Sequence, residues 1–178
     1  MRFGHRPSEA PRRGRALAVG LALLLGACGG ASFRNGIFKS DEVHYRVGPV
    51  DREWTRLQVS EGQVAFVVPG TGATLSAHAE CRRTDAPLRA LTLHILNGFT
   101  ERKVAAERFF SFAAREAMGT SLTARLDGVP MQLEVVVVKK DACVFDFVYT
   151  APPERFAERR PDFERFLGGF EKLPQEKP

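Results

Sequence analysis

SLTARLDGVPMQLEVVVVKKDACVFDFVY, residues 121–149, holds three runs of strand-forming residues separated by two polar turns. Ser121–Leu126 and Met131–Lys139 flank Asp127-Gly128, a dipeptide suited to a tight hairpin, with Val129-Pro130 expected to lengthen the turn. Val135–Val138 is apolar on both faces, which predicts a central strand covered by helices on one side. After the polar turn Lys139-Lys140-Asp141, alternation puts Cys143, Phe145, Phe147 and Tyr149 on one face. Asp146 stands between Val144 and Val148 on the other. A carboxylate among valines could have a raised pKa suited to acid–base chemistry, or it could lie on a partly solvated sheet face or meet an arginine partner. The stretch reads as an antiparallel meander and predicts an α+β domain.

Working towards the N-terminus, Phe109–Met118 reads as another strand, while Glu101–Glu107 fits either a helix extension or a mobile loop. Asp85-Ala86-Pro87 opens a helix, the acid placed to cap it, and Leu88, Leu91, Ile95, Leu96 and Phe99 form its apolar stripe up to Gly98. Thr74–Arg82 alternates as a strand, with Leu75, Ala77, Ala79 and Cys81 on one side and His78 and Glu80 on the polar side. Before it, Trp54–Ser60 and Gln63–Val68 make a hairpin about Glu61-Gly62, and Pro69-Gly70-Thr71-Gly72 is a turn without the later residues of a phosphate-binding loop. Trp54 is the single tryptophan and reads as core or as a lid over a sheet edge; ligand stacking is the alternative. Val43–Val47 is a first short strand, ended by Gly48-Pro49. Towards the C-terminus, Pro152-Pro153 ends the sheet and Pro161 begins a final helix with Phe163, Phe166, Leu167 and Phe170 in helical spacing, limited by Gly168-Gly169.

The first residues have a different character. Arg2, Arg6, Arg12, Arg13 and Arg15 stand against the single acid Glu9, followed by an eleven-residue apolar run, Ala16 to Gly26. That run falls well short of the roughly 20 residues a membrane span needs, so it reads as the core of a secretory signal. Leu25-Gly26-Ala27-Cys28 closes it and resembles the lipobox of bacterial lipoproteins. The resemblance implies a signal peptide over 1–27, acylation of Cys28, and attachment to a membrane through that lipid. Gly29 is not the aspartate that retains the best-known lipoproteins at the inner membrane, so the outer membrane is expected, with the domain in the periplasm or at the cell surface. Residues 28–42 read as a flexible tether, 43–173 as one domain, and 174–178 as a frayed tail.

Removal of the leader leaves 21 basic against 20 acidic residues, a net charge of +1, and no polybasic block. A nucleic-acid partner loses its support with that count. Local runs such as Glu154–Arg160 mix both signs and read as solvated helix surface. Of the three cysteines, acylation of Cys28 leaves Cys81 and Cys143, an even pair for an oxidising compartment. Both fall on the apolar faces of their strands, so a disulfide predicts that the strands are neighbours; two buried free thiols are the alternative. As the two are 62 positions apart, the loop-entropy model assigns the bridge about 4 kcal/mol. No paired ligand spacing supports a metal site, and no cofactor motif is present.

The order of elements resembles the PsbP-like α/β/α sandwich in Trp54 after its turn, the hairpin at Asp127-Gly128, Cys143–Tyr149, and Phe163–Phe170. The resemblance covers most of Val43 to Phe170; the cysteine pair departs from the usual pattern, and no functional residue carries over. It implies a non-enzymatic accessory or assembly protein of the envelope, bound to an envelope protein partner through the sheet surface or loops. An alternative is a carrier or sensor of a small apolar ligand or lipid, for which a hollow lined by Phe109, Phe110 or Phe112 would speak. A hydrolase would need a pair drawn from Ser60, Ser76, Ser111 or Ser121 and His44, His78 or His94, without any Gly-x-Ser-x-Gly elbow.

Overall fold

The computed structural model describes residues 31–59, 63–82 and 84–175, together with Met1. Seven antiparallel strands form the main sheet: β4 Thr55–Leu57, β5 Gln63–Val68, β6 Ala73–Glu80, β7 Phe99–Phe112, β8 Arg115–Leu126, β9 Val129–Lys140 and β10 Cys143–Ala151. Their spatial order is β4-β5-β6-β10-β9-β8-β7. The sheet is thus two meanders, β4-β5-β6 and β7-β8-β9-β10, joined where β6 pairs with β10. Among the described residues, that junction is the only neighbour pair in the sheet not closed by a hairpin. A smaller sheet takes β1 Ser32–Arg34, β2 Ile37–Lys39, β3 His44–Arg46 and, from the far end of the chain, β11 Glu171–Leu173.

The two faces of the main sheet are covered differently. Its inner face buries Val64, Phe66, Leu75, Ala77, Val136, Val138, Phe145, Phe147 and Tyr149 against helix α2, Pro153–Gly168, and against Phe38 and Tyr45 of the small sheet. Its outer face carries a second cluster, Leu122, Leu133, Val135, Val137 and Val144, under the short crossover helix α1, Leu88–Ile95, with Leu96 following it. Val135–Val138 therefore alternates between two covered faces, where the sequence pointed to helices on one side alone. The alternation of β6 is equally regular: Ala73, Leu75, Ala77 and Ala79 are buried, and the residues between them are half-buried. This is an α+β fold with an antiparallel sheet flanked by helices.

Several sequence expectations need correction. Residues 32–39, read as part of a tether over 28–42, form the β1–β2 hairpin, closed by Asn35 (φ 51°) and Gly36 (φ 76°). Glu101–Glu107 is neither helix nor loop but the middle of β7, an edge strand exposed over most of its length. Phe109–Met118 is not one strand, because Ala113 and Ala114, both at positive φ, turn the chain between β7 and β8. Val129 and Pro130 do not lengthen their turn; Pro130 lies in β9 opposite Arg125, and Asp127-Gly128 alone makes the connection. The last helix starts at Pro153, leaving Pro161 exposed in its interior, and Asp85 makes no side-chain cap on α1. The start of the tail is docked, with Pro174 accepting from His44 and Gln175 donating to the Asp41 carbonyl.

The register at the junction puts Val144 opposite Glu80, and one further step puts Cys143 opposite Cys81. In the structure a disulfide joins them, with Cα atoms 3.9 Å apart. Non-reducing peptide mapping of protein extracted from the envelope is expected to recover Cys81 and Cys143 in one linked pair. Two freely alkylated thiols would contradict it.

Candidate functional surface

Because α1 lies over β8 and β9, the outer face of β4, β5 and β6 has no covering helix among the described residues. A cross-strand row, Gln63, His78, Asp146, Val137, runs from this open face to the cluster buried under α1. His78 and Asp146 are directly opposed on antiparallel strands, and Nδ1 of His78 lies 3.2 Å from a carboxylate oxygen of Asp146. The carboxylate among valines has found a histidine across the strand pair, not an arginine. Glu80, two positions along β6, is paired with Arg82 at 3.0 Å.

The hydrogen bond to Asp146 holds a proton on His78 and raises its pKa above 6.5; burial opposes this, while the charges of Asp146 and Glu80 add to it. A folded-state value above the unfolded one means the pair stabilises the fold fully below pH 6.5, and that contribution is lost as pH rises through the raised value. A proton NMR titration is expected to place the His78 midpoint above 6.5, and Asp146→Asn to bring it back down. A native midpoint at or below 6.5 would contradict the pairing.

A second feature lies at the other end of α1. Pro87, Leu88 and Arg89 face Phe109, Arg115, Glu116 and Lys139 across an open groove of about 720 Å³. Phe109 is 54% exposed and supplies one apolar wall. Phe110 instead lies under the Arg108 guanidinium at 4.6 Å, and Phe112 is packed with Phe147 and Phe170. Of the three phenylalanines named as markers of a hollow, Phe109 lines this groove, Phe109 and Phe110 line a second open hollow with Ser111 and Arg115, and Phe112 is half-buried against the core.

Other candidates are placed as follows. Cys28 and Ser60 lie outside the described residues. His44 contacts the Pro174 carbonyl and His94 contacts Asn97 at 3.4 Å, so with His78 on Asp146 no serine–histidine contact occurs among the described residues. No group of three potential metal ligands occurs there either. No helix among the described residues is long and apolar enough to cross a membrane.

Trp54 is buried, with its ring N–H donating to Asp162 at 2.9 Å. Asp162 in turn accepts from Arg165 and lies 3.8 Å from Arg159, while Arg165 reaches Asp51 and Arg159 reaches Glu53. Arg160 holds Glu134 of β9 at 2.9 Å. Arg159 and Arg160, inside the run read as solvated surface, thus tie α2 to the rest of the domain, as does Arg165 beyond it, while Arg155 pairs with Glu158 of the same helix. Nothing in their mixed-sign run distinguishes them from solvated charge; the one signal was Asp162 on the same helical side as Phe163 and Phe166.

No known family model and no curated protein sequence matches the chain. Solved structures do match in fold. LpqN of Mycobacterium tuberculosis, involved in cell envelope biogenesis, superposes with a TM-score of 0.56 at 12% identity, over 75% of this chain and 87% of that one. PsbP (CyanoP) of Synechocystis gives 0.52 at 14% identity, over 84% and 99%. PA94 of Pseudomonas aeruginosa, of unknown function, gives 0.51 at 12% identity, over 84% and 100%. At these identities the likeness is one of fold, and the fold of this chain is PsbP-like.

Proposed function

We propose that the protein is a lipid-anchored component of the bacterial cell envelope whose domain is a non-enzymatic binding module supporting a larger assembly. The observation that carries this reading is the half of the outer sheet face that no helix covers among the described residues, a surface on which a partner could pack. The leader and Leu25–Cys28 supply the address, with the outer membrane favoured. LpqN, which shares the fold, is itself involved in envelope biogenesis. A second reading, a carrier of a small apolar ligand or lipid, draws its support from the groove beside Phe109.

In vivo crosslinking of the natively processed protein, followed by purification and mass spectrometry, tests the first reading. One reproducible envelope partner is expected, and Cys28→Ala should both release the protein from membrane fractions and lose that partner. Retention of the variant in the membrane would defeat the anchor. A protein that recovers no partner but co-purifies with lipid would favour the carrier.

A further inference from the structure

Strand β1 is fastened to one particular edge of the main sheet. Phe33 packs edge-on against Phe66 of β5 at 5.8 Å, and its carbonyl accepts from Arg56 of β4, whose guanidinium also lies 5.2 Å over the Phe33 ring. From Cys28 to Phe33 is five residue steps, so the chain between them spans at most about 18 Å. Six strand spacings separate β4 from β7, a width of about 29 Å. A lipid on Cys28 therefore cannot lie beyond the β7 edge and is held nearer the β4 side of the sheet.

That side has the chemistry of a membrane contact. Leu57 and Val59, at the end of β4, are 38% and 39% exposed although both are large and apolar. In the loop leading to β4, Asp51 and Glu53 are neutralised by Arg165 and Arg159 of α2. Arg52 between them, and Arg34 beside Phe33, are exposed and have no carboxylate partner among the described residues. Cations with no counter-ion next to exposed aliphatic side chains complement an interface of anionic headgroups over acyl chains.

We infer that the β4 edge and the β1–β2 hairpin rest on the lipid surface that anchors Cys28, with Leu57 and Val59 at the acyl boundary and Arg34 and Arg52 on anionic headgroups. The β7 edge, the groove at Phe109 and α1 then point away from the bilayer. This inference rests on the lipid-anchor reading above and adds an orientation to it.

The test uses the full-length protein, processed in a bacterial host and reconstituted into phosphatidylcholine vesicles containing phosphatidylglycerol. A photo-crosslinking amino acid replaces Leu57 or Val59, or, as far-side controls, Leu93 or Phe109, which are 53% and 54% exposed. Lipid adducts are expected at 57 and 59 and not at 93 or 109. The joint change Arg34→Glu and Arg52→Glu, or omission of phosphatidylglycerol, should lower the adduct yield several-fold while the protein still floats with the vesicles. Equal yields at all four positions in floating protein would overturn the orientation and leave the anchor standing. Protein that does not float would overturn both, so the two failures are told apart.

Discussion

Gly48→Ala is expected to unfold the domain at much lower denaturant than the native chain. A Cβ at position 48 would lie 1.9 Å from the carbonyl oxygen of Arg165 and 2.8 Å from its carbon. These are backbone atoms near the end of α2, held in turn by the Gly48 N–H donating to the Phe166 carbonyl at 2.8 Å. Gly169 meets the same spot from the other side, its missing Cβ 2.4 Å from the Gly48 Cα. Two chain segments pass here with no room for a side chain on either, so the methyl can be admitted only by lifting α2 and its phenylalanines off the sheet. The loss should be at least about 3 kcal/mol, the upper range for an overpacked core. It would be read as a fall of about 1–2 M in the urea midpoint. The neighbouring Gly168 has nothing within 4 Å of its missing Cβ and ends the helix, so Gly168→Ala should leave stability unchanged or raise it by up to about 1 kcal/mol. Equal effects at 48 and 168 would show that the close approach does not constrain the fold.

Asp162→Ala is the second large loss. The carboxylate is 5% exposed, accepts from the Trp54 ring N–H and from Arg165, and faces Arg159. The Nε of Arg159 is already buried without a hydrogen-bond partner. Deleting Asp162 would strand a buried indole N–H and leave the guanidinium of Arg159 with less compensation, for which about 3 kcal/mol or more is expected. Asp162→Asn, which keeps an oxygen for Trp54 but no charge for the arginines, should cost less. Tyr149 gives a spectroscopic check: its hydroxyl donates to the Phe156 carbonyl, and its pKa is pushed up to about 12, first by burial and then by the charge of Asp162. In Asp162→Ala, phenolate absorbance should therefore appear at lower pH. An Asp162→Ala protein with native stability would mean that the ties of α2 contribute little.

How far this was legible from sequence depends on the element. From Ser121 to Tyr149, runs of strand-forming residues punctuated by Asp127-Gly128 and Lys139-Lys140-Asp141 showed the strands, and the alternation of Cys143, Phe145, Phe147 and Tyr149 showed the inner face of β10. The phenylalanines of α2 did the same at helical spacing. Expectation failed where side chains do not report their surroundings. The middle of β7 lacks alternation because an edge strand meets water over most of its length, and Ala113-Ala114 turns the chain with residues that carry no turn signature. Asn35-Gly36 was a hairpin signal between Phe33 and Phe38, but a polar, glycine-containing composition beside an expected anchor masked it. Gly48 announced a turn, and nothing in the sequence could reveal the helix end passing against it. The site was visible only in halves: His78 lay on a polar face and Asp146 among valines, and their meeting depended on the register of two strands, the two residues being 68 positions apart.

The disulfide occupies the junction at which the two meanders meet. Elsewhere in the main sheet, a tension applied between the β4 and β7 edges is resisted at each strand pair by hydrogen bonds and, in addition, by the short covalent turn of a hairpin. Between β6 and β10 the chain takes a long route through α1 and three further strands, so without the bridge the ladder would have to carry that tension by hydrogen bonds and packing alone. Cys81–Cys143 supplies a covalent link across that gap at one end. For a domain anchored and partnered as proposed above, the oxidised pair would turn the weakest seam into a hinge that can fray from its far end but not part. Reduction would therefore show first as a lower unfolding force across the sheet, in a direction that measurements on free protein in solution do not sample.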